Sequence, residues 1–331
     1  MKFIVVTILI AVLFLLNLFL GSVEIPAADV FAILTGGEGY GAAGFIVTGS
    51  RLPMAVTALL AGGGLAASGL MLQTAFRNPL AGPSVLGINS GASLGVALVM
   101  LLLGGTISAG TVTLGGYAAV MVGAFLGSLL IMGLLLFLST ILRNTLMLLI
   151  TGIMIGYLTS SVIMLLNFAS TAEGVQSYVM WGMSSFNGVS LQQLPLFSGI
   201  TALGIVLALF LVKPLNLLML GDGYAQNLGV DLRRVRNMLL VATGLLTAVI
   251  TAFCGPVAFI GLSVPHIARL IFRTDNHRVL MPATLLVGAM VALGCNLLCV
   301  LPYNSVLPLN AVTPLVGAPV VIWVLFKHRG R

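Results

Sequence analysis

"FRNPLAGPSVLGINSGASLG", Phe76 to Gly95, opens on a charge and a proline and then turns rich in Gly and Ser. Its flanks are almost entirely Leu, Val, Ile, Ala and Met. A phosphate-cradling loop would need G-x-x-x-x-G-K-[ST] between a strand and a helix, because the lysine reaches the terminal phosphates. No lysine follows any such glycine pattern in the chain. Gly87, Gly91 and Gly95 instead recur every four residues, with Ser90 and Ala92 beside them. That spacing puts small residues on one face of a helix and lets a second helix approach closely. The same pattern recurs at Gly123 and Gly127 and at Gly152 and Gly156. Pro79 and Pro83 mark a turn before this helix, and Asn78 is a residue that caps or lines such turns. The stretch reads as a turn followed by the packed face of a helix.

Composition says what solvent that helix meets. Of 331 residues, 60% are apolar and only 6% are charged, and the mean hydropathy is +1.20. A soluble domain carries roughly 25% charged residues, so 14 basic and 7 acidic side chains cannot cover a water-facing surface on a chain this long. Lipid is the main solvent. The net charge of +7 falls between apolar runs, where it reads as an orientation signal and not as a nucleic-acid surface. Cys254, Cys295 and Cys299 are too few and too apolar in context for a disulfide framework.

At about 20 residues per crossing, spans are expected at 3–20, 52–72, 84–103, 114–138, 145–167, 191–212, 237–254, 257–272, 279–299 and 306–326. The first follows Lys2 and reads as an uncleaved span, although a signal peptide has a similar start. With Lys2 inside, thirteen of the fourteen basic residues fall on the cytoplasmic side and only Arg51 falls outside, as the positive-inside rule demands. Glu24, Asp29, Glu38 and Glu173 also fall outside. The expectation is an all-α polytopic membrane protein of about ten transmembrane helices, a single domain over 1–331, with both termini cytoplasmic. Its inner loop at 213–236 holds the most polar stretch in the chain, "LGDGYAQNLGVDLRRVR".

Within that loop Ala225, Leu228 and Leu232 share a helical face at i, i+3, i+7. A short amphipathic helix of this kind suits either a juxtamembrane anchor or a docking surface for a cytoplasmic partner. His266, in "GLSVPHIARL", has no carboxylate or cysteine beside it and reads as a structural histidine near a Pro-broken helix, not as a metal ligand. Arg269, one turn on, is placed to snorkel to the inner surface. Cys295 and Cys299 read as small buried hydrophobes, and no metal site is expected. Arg51 reads either as an interfacial anchor or as the contact for an acidic outside partner. With seven acidic residues, none paired within a span, neither a proton-relay chain nor a catalytic constellation is visible.

Three segments together resemble the permease subunits of the FecCD/BtuC family: "RLPMAVTALLAGGGLAASGLMLQTAFRNPLAGPSVLGINSGASLG", "GLSVPHIARLIFRTDNHRVLMPATLLVGA" and "LPLNAVTPLVGAPVVIWVLF". The resemblance runs from about Val47 to Phe326. It implies a BtuC-like type II ABC importer fold in a bacterial cytoplasmic (inner) membrane and a homodimer with the fifth and tenth spans at its axis. It implies two cytoplasmic ATP-binding subunits that carry the ATP and magnesium, so that this chain binds no cofactor, and an extracytoplasmic substrate-binding protein. The cargo would be an iron-siderophore, haem or cobalamin. By the same resemblance Asp222, Ala225, Leu228, Gly229, Arg233, Arg234 and Arg236 match the ATPase-coupling segment. Asn78, Pro79, Leu80, Asn144 and Thr145 match the cytoplasmic mouth of the pathway, and Arg51 matches an outer arginine that grips the binding protein. Where the family has a second outer Arg, an Asp, an Arg, a Glu and a Gly, this chain has Met54, Asn296, Val300, Val306 and Asn310, which implies an outer docking surface that has lost charge. The reading of different class is a stand-alone secondary transporter or channel for a small solute, with the inner loop a mere anchor.

Overall fold

The computed structural model describes residues 1–37, 41–84, 86–109, 112–142, 145–301 and 306–328. The helices are α1 (Lys2–Phe19), α2 (Ala27–Leu34), α3 (Gly41–Phe45), α4 (Leu52–Ala75) and α5 (Ile88–Ala97), followed by a small antiparallel hairpin, β1 (Thr106–Ala109) and β2 (Val112–Gly115). Then come α6 (Gly116–Ile141), α7 (Thr145–Ala169), α8 (Ala172–Gly182), α9 (Leu194–Phe210), α10 (Val212–Leu218) and α11 (Asp222–Asn227). Four further helices close the chain: α12 (Leu232–Cys254), α13 (Ile260–Phe272), α14 (His277–Val300) and α15 (Leu309–His328).

Among the described residues six helices are long and apolar enough to cross a membrane, and α9 with α10, bent by 46°, makes a seventh. Shorter apolar helices at Ile88–Leu102, Ile260–Phe272 and Leu309–Trp323 fill the remaining expected passes, so about ten crossings stand. The third span begins at Ile88, not at 84, because Gly87 holds a left-handed φ of +77°. The seventh begins five residues early, at Leu232, because Asp231 accepts a hydrogen bond from Arg234 N at 3.0 Å and caps the helix there.

α4 is the centre. Its span is 83% buried, whereas those of α1 and α7 are 22% buried and line the periphery. α4 packs on α9, α12, α13 and α14. Small residues make this closeness available. At Gly62 an added Cβ would strike the carbonyl oxygen of Gly288, and at Gly288 it would strike that of Gly62. At Gly69 it would strike the carbonyl of Gly261 in α13.

The opening stretch follows the same logic. A Cβ at Gly91 would lie 2.5 Å from Gly127 O, and one at Gly95 would strike Gly123 O, so α5 rides backbone to backbone on α6. Gly87 departs from the expected face. It precedes the helix and abuts Gly152 of α7 instead.

The pass between α12 and α13 is broken at 255–259, with Gly255 at φ +78° and Phe259 at φ +64°. Non-helical backbone at membrane depth needs partners from the protein itself. Tyr117 donates its hydroxyl to Phe253 O (3.0 Å), Ser184 donates to Pro256 O (3.0 Å) and Ala258 N donates to Asn310 Oδ1 (3.1 Å).

Overpacking a tight core costs about 1–3 kcal/mol, and Gly69 has backbone, not a yielding side chain, in the way. Gly69→Ala is therefore expected to lower the thermal-unfolding midpoint of detergent-purified protein clearly. Gly133→Ala, which meets nothing within 4 Å, should leave it unchanged or slightly raised. Equal melting of the two variants would contradict the backbone contact.

Candidate functional site at the basic end of the bundle

α1, α12 and α14 begin, and α4 and α13 end, at one face of the bundle, which gathers Lys2, Arg77, Arg233, Arg234, Arg236, Arg269, Arg273 and Arg278. The turn after α4 is built locally. Asn78 Oδ1 accepts from Leu80 N at 2.9 Å, and Asn78 O accepts from Ala81 N at 3.0 Å. Arg77 sits at φ +46°, an uncommon conformation for a residue with a side chain. From there its guanidinium reaches Asp222 Oδ1 in α11 and Leu218 O in α10. His266 Nε2 lies 2.8 Å from Pro79 O; a carbonyl only accepts, so Nε2 carries the proton. The expected structural histidine thus holds the turn itself.

Gln73, in the last turns of α4, donates to Leu262 O (3.0 Å) and accepts from Arg269 (2.8 Å). Arg269 also pairs with Asp275 at 3.3 Å, so it does not snorkel freely as expected but joins α13 to α4. Next to it His277, only 1% exposed, bridges Thr74 of α4 and Asn216 of α10.

The 220–236 segment is not one amphipathic helix. Gly221 (φ +111°) and Gly229 (φ +85°) break it, so α11 is a six-residue helix hung between two glycine joints. The expected face of Ala225, Leu228 and Leu232 is accordingly split. Ala225 is fully buried, while Leu228 is exposed and lies past the end of α11. Asp222, Tyr224, Arg233 and Arg234 are exposed. Arg236 differs from them: it is half-buried and donates to Leu142 O at 3.1 Å, which ties α12 to the end of α6. Of the expected mouth residues, Asn144 lies outside the described residues, as does Arg143 beside it, and Thr145 opens α7.

At the other end the structure corrects the expectation for Arg51. It is 3% exposed, and its guanidinium donates to Leu18 O and Phe19 O at 2.9 Å each and to Val23 O. These carbonyls belong to the end of α1 and the residues after it, where a helix leaves acceptors unpaired and favours a positive charge. Arg51 closes α1; it is not presented to a partner.

The neighbouring substitutions are also internal. Met54, Asn296 and Val300 are buried, and Asn296 donates to Asn17 Oδ1 at 2.7 Å between α14 and α1. Only Val306 among them is exposed, so the inferred loss of docking charge is largely a change inside the bundle.

Sequence reasoning missed Gln73, Thr74, Asn216, His277 and Ser184, and it noted Asn310 as a substitution without its bond to Ala258 N. Their partners are far along the chain, and no local pattern pairs them; the one signal was a polar residue inside an otherwise apolar span end. Among the described residues no group of three or more His, Cys, Asp or Glu could hold a metal ion, and Cys295 and Cys299 are buried.

Comparison with known proteins agrees across nearly the whole chain. The model of the FecCD transport family matches residues 9–327. The vitamin B12 import system permease protein BtuC of Klebsiella pneumoniae is 38% identical over 283 residues, 85% of this chain and 82% of that protein. Its counterpart in Salmonella typhimurium is 36% identical over 278 residues, 84% and 82% respectively. A solved structure described as an inward-facing conformation of a metal-chelate type ABC transporter superposes with a TM-score of 0.82 at 29% identity, covering 97% of each chain.

A charge-assisted hydrogen bond is worth about 1.5–3 kcal/mol. Arg51→Ala, which strands three acceptors, is expected to cost at least that much in thermal stability. Arg51→Lys should recover little, because one ammonium cannot span the three carbonyls. In whatever Arg51→Lys protein folds, affinity for an outside binding protein should be unchanged; a selective affinity loss at normal stability would restore the docking role.

Proposed function

This chain belongs to the FecCD transport family, and we propose that it forms, with a second copy of itself, the membrane passage through which an ATP-driven importer carries a metal chelate into the cell. It is a multi-pass membrane permease subunit of the ABC importer type, a transport component and not an enzyme. For the cargo, the names of the relatives favour a corrinoid such as vitamin B12 as the first candidate, with iron-siderophores and haem behind it.

The observation that carries the mechanism is the placement of α11. A short helix on two glycine joints exposes Asp222 and Tyr224 at the basic end, with Leu228 just past it and Arg233 and Arg234 exposed at the start of α12, and it is tied by Asp222 and Arg77 to the Asn78–Leu80 turn. The positive-inside rule assigns that end to the cytoplasm. An ATP-binding subunit seated there would, on closing over ATP, displace α11 and with it the turn at the inner mouth. The segment supplies no phosphate loop, so the nucleotide belongs to the partner.

α7 and α15 supply the axis in this reading. α7 turns Tyr157, Leu158, Met164 and Phe168 outward, and α15 turns Leu315, Ile322 and Trp323 outward, an apolar surface suited to a second copy or to lipid. Loaded binding protein would deliver cargo at the opposite end.

The experiment is reconstitution of the chain with its ATP-binding subunit in liposomes, with binding protein and labelled vitamin B12 or a ferric siderophore outside. ATP-dependent accumulation of one of them is expected. Accumulation driven by an ion gradient without the ATPase would overturn the importer reading in favour of a secondary transporter. Arg233→Glu with Arg234→Glu should lower co-purification of the ATP-binding subunit at unchanged expression; undiminished co-purification would remove these residues from the docking surface.

A further inference from the structure

α10 is attached to the rest of the bundle in an unusual way. It leaves α9 at a 46° bend and ends at Leu218, shortly before the Gly221 joint, so no straight helix continues from either end. Asn216, near its C-terminal end, reaches across to the start of α14 with both halves of its amide. Nδ2 donates to Asn276 Oδ1 at 2.9 Å, and Oδ1 accepts from His277 N at 2.8 Å and from His277 Nδ1 at 2.9 Å. Because that oxygen only accepts, Nδ1 carries the proton, and the neutral ring leaves Nε2 as an acceptor. Nε2 lies 2.8 Å from Thr74 Oγ1 in the last turns of α4. His277 and Thr74 are buried, at 1% and 7% exposure.

Four residues therefore join three elements at one point. Arg77, in the turn after α4, also reaches this segment, at Asp222 and at Leu218 O, but Arg77 and Asp222 are both about half exposed, and such pairs hold geometry weakly in water. A buried, directional polar contact is stiffer, since each displaced partner leaves an unpaired group.

We propose that Asn216 is a positioning residue for transport: acting through His277 and Thr74, it makes α10 and the end of α4 move together, so that displacement of the 221–229 segment reaches the Asn78–Leu80 turn. This rests on the importer reading above.

The test uses the chain assembled with its ATP-binding subunit in lipid nanodiscs, carrying Leu80→Cys as a probe. Leu80 is exposed and the native cysteines are buried, so a maleimide reports on position 80. Two quantities are read, ATP hydrolysis and the change in labelling rate on adding ATP. With no other change, ATP is expected to alter the labelling rate. Asn216→Ala and His277→Leu should each lose that alteration while hydrolysis continues. His277→Gln should restore it, because its amide donates to Asn216 and accepts from Thr74. Thr74→Val added to Asn216→Ala should cause no further loss, since both act through one ring.

A retained ATP response in Asn216→Ala, a His277→Gln variant no better than His277→Leu, or losses that add would each overturn the proposal. So would an otherwise unaltered complex that hydrolyses ATP with no change at position 80. Failure of the ATP-binding subunit to co-purify with the otherwise unaltered chain is a different result and would sink the importer reading itself.

Discussion

Backbone touching backbone along α4 is the constraint on which the rest of the fold depends. Lipid tails are as apolar as leucine, so burying side chains gives transmembrane helices little reason to associate in a bilayer; close packing and interhelical hydrogen bonds must do it. The pairs Gly62 with Gly288 and Gly69 with Gly261 bring α14 and α13 directly onto α4. Once α13 lies that close, Ser184 and Asn310 reach Pro256 O and Ala258 N in the 255–259 break, and Tyr117 reaches Phe253 O just before it. At the other end the same closeness brings Gln73 and Thr74 of α4 within hydrogen-bond distance of Arg269 and His277.

The two ends of the bundle spend their polar residues differently. At the basic end several contacts join separate elements side chain to side chain, Arg77 to Asp222, Gln73 to Arg269 and Thr74 to His277, with half-exposed members beside buried ones, and others end on carbonyls such as Pro79 O. At the opposite end Arg51 and Asn310 serve carbonyls and peptide N–H groups of irregular backbone. The first arrangement connects elements that can shift as units; the second finishes chain ends that a bilayer would otherwise leave unpaired.

Much of this was legible before any coordinates. Apolar run lengths and the distribution of Lys and Arg placed the crossings, because hydropathy and charge are local properties of a lipid-embedded chain. Gly91 and Gly95 announced the α5–α6 contact through their spacing alone. Three things were hidden. A single helical face through Ala225, Leu228 and Leu232 overlooked Gly229, whose positive φ outweighs the apolar spacing around it. Arg51 looked like a surface charge because its three acceptors are main-chain carbonyls, which no side-chain pattern records. The His277 cluster joins residues some 203 positions apart in sequence, and only packing brings them together.

Gly21 has its own bearing on how such a chain tolerates change. Its Cα hydrogen faces the Arg51 guanidinium so closely that a Cβ would sit 2.8 Å from Nε. The two positions form a lock-and-space pair: a side chain at 21 presses on the arginine, which must shift, and a shift that breaks its bonds returns three carbonyls to a region short of water. Lineages that shorten residue 51 are thereby freed to enlarge residue 21, and those that keep the arginine are not. Covariation between these two sites would then record helix termination at α1, although a reader of aligned sequences would be inclined to take it for the imprint of a partner.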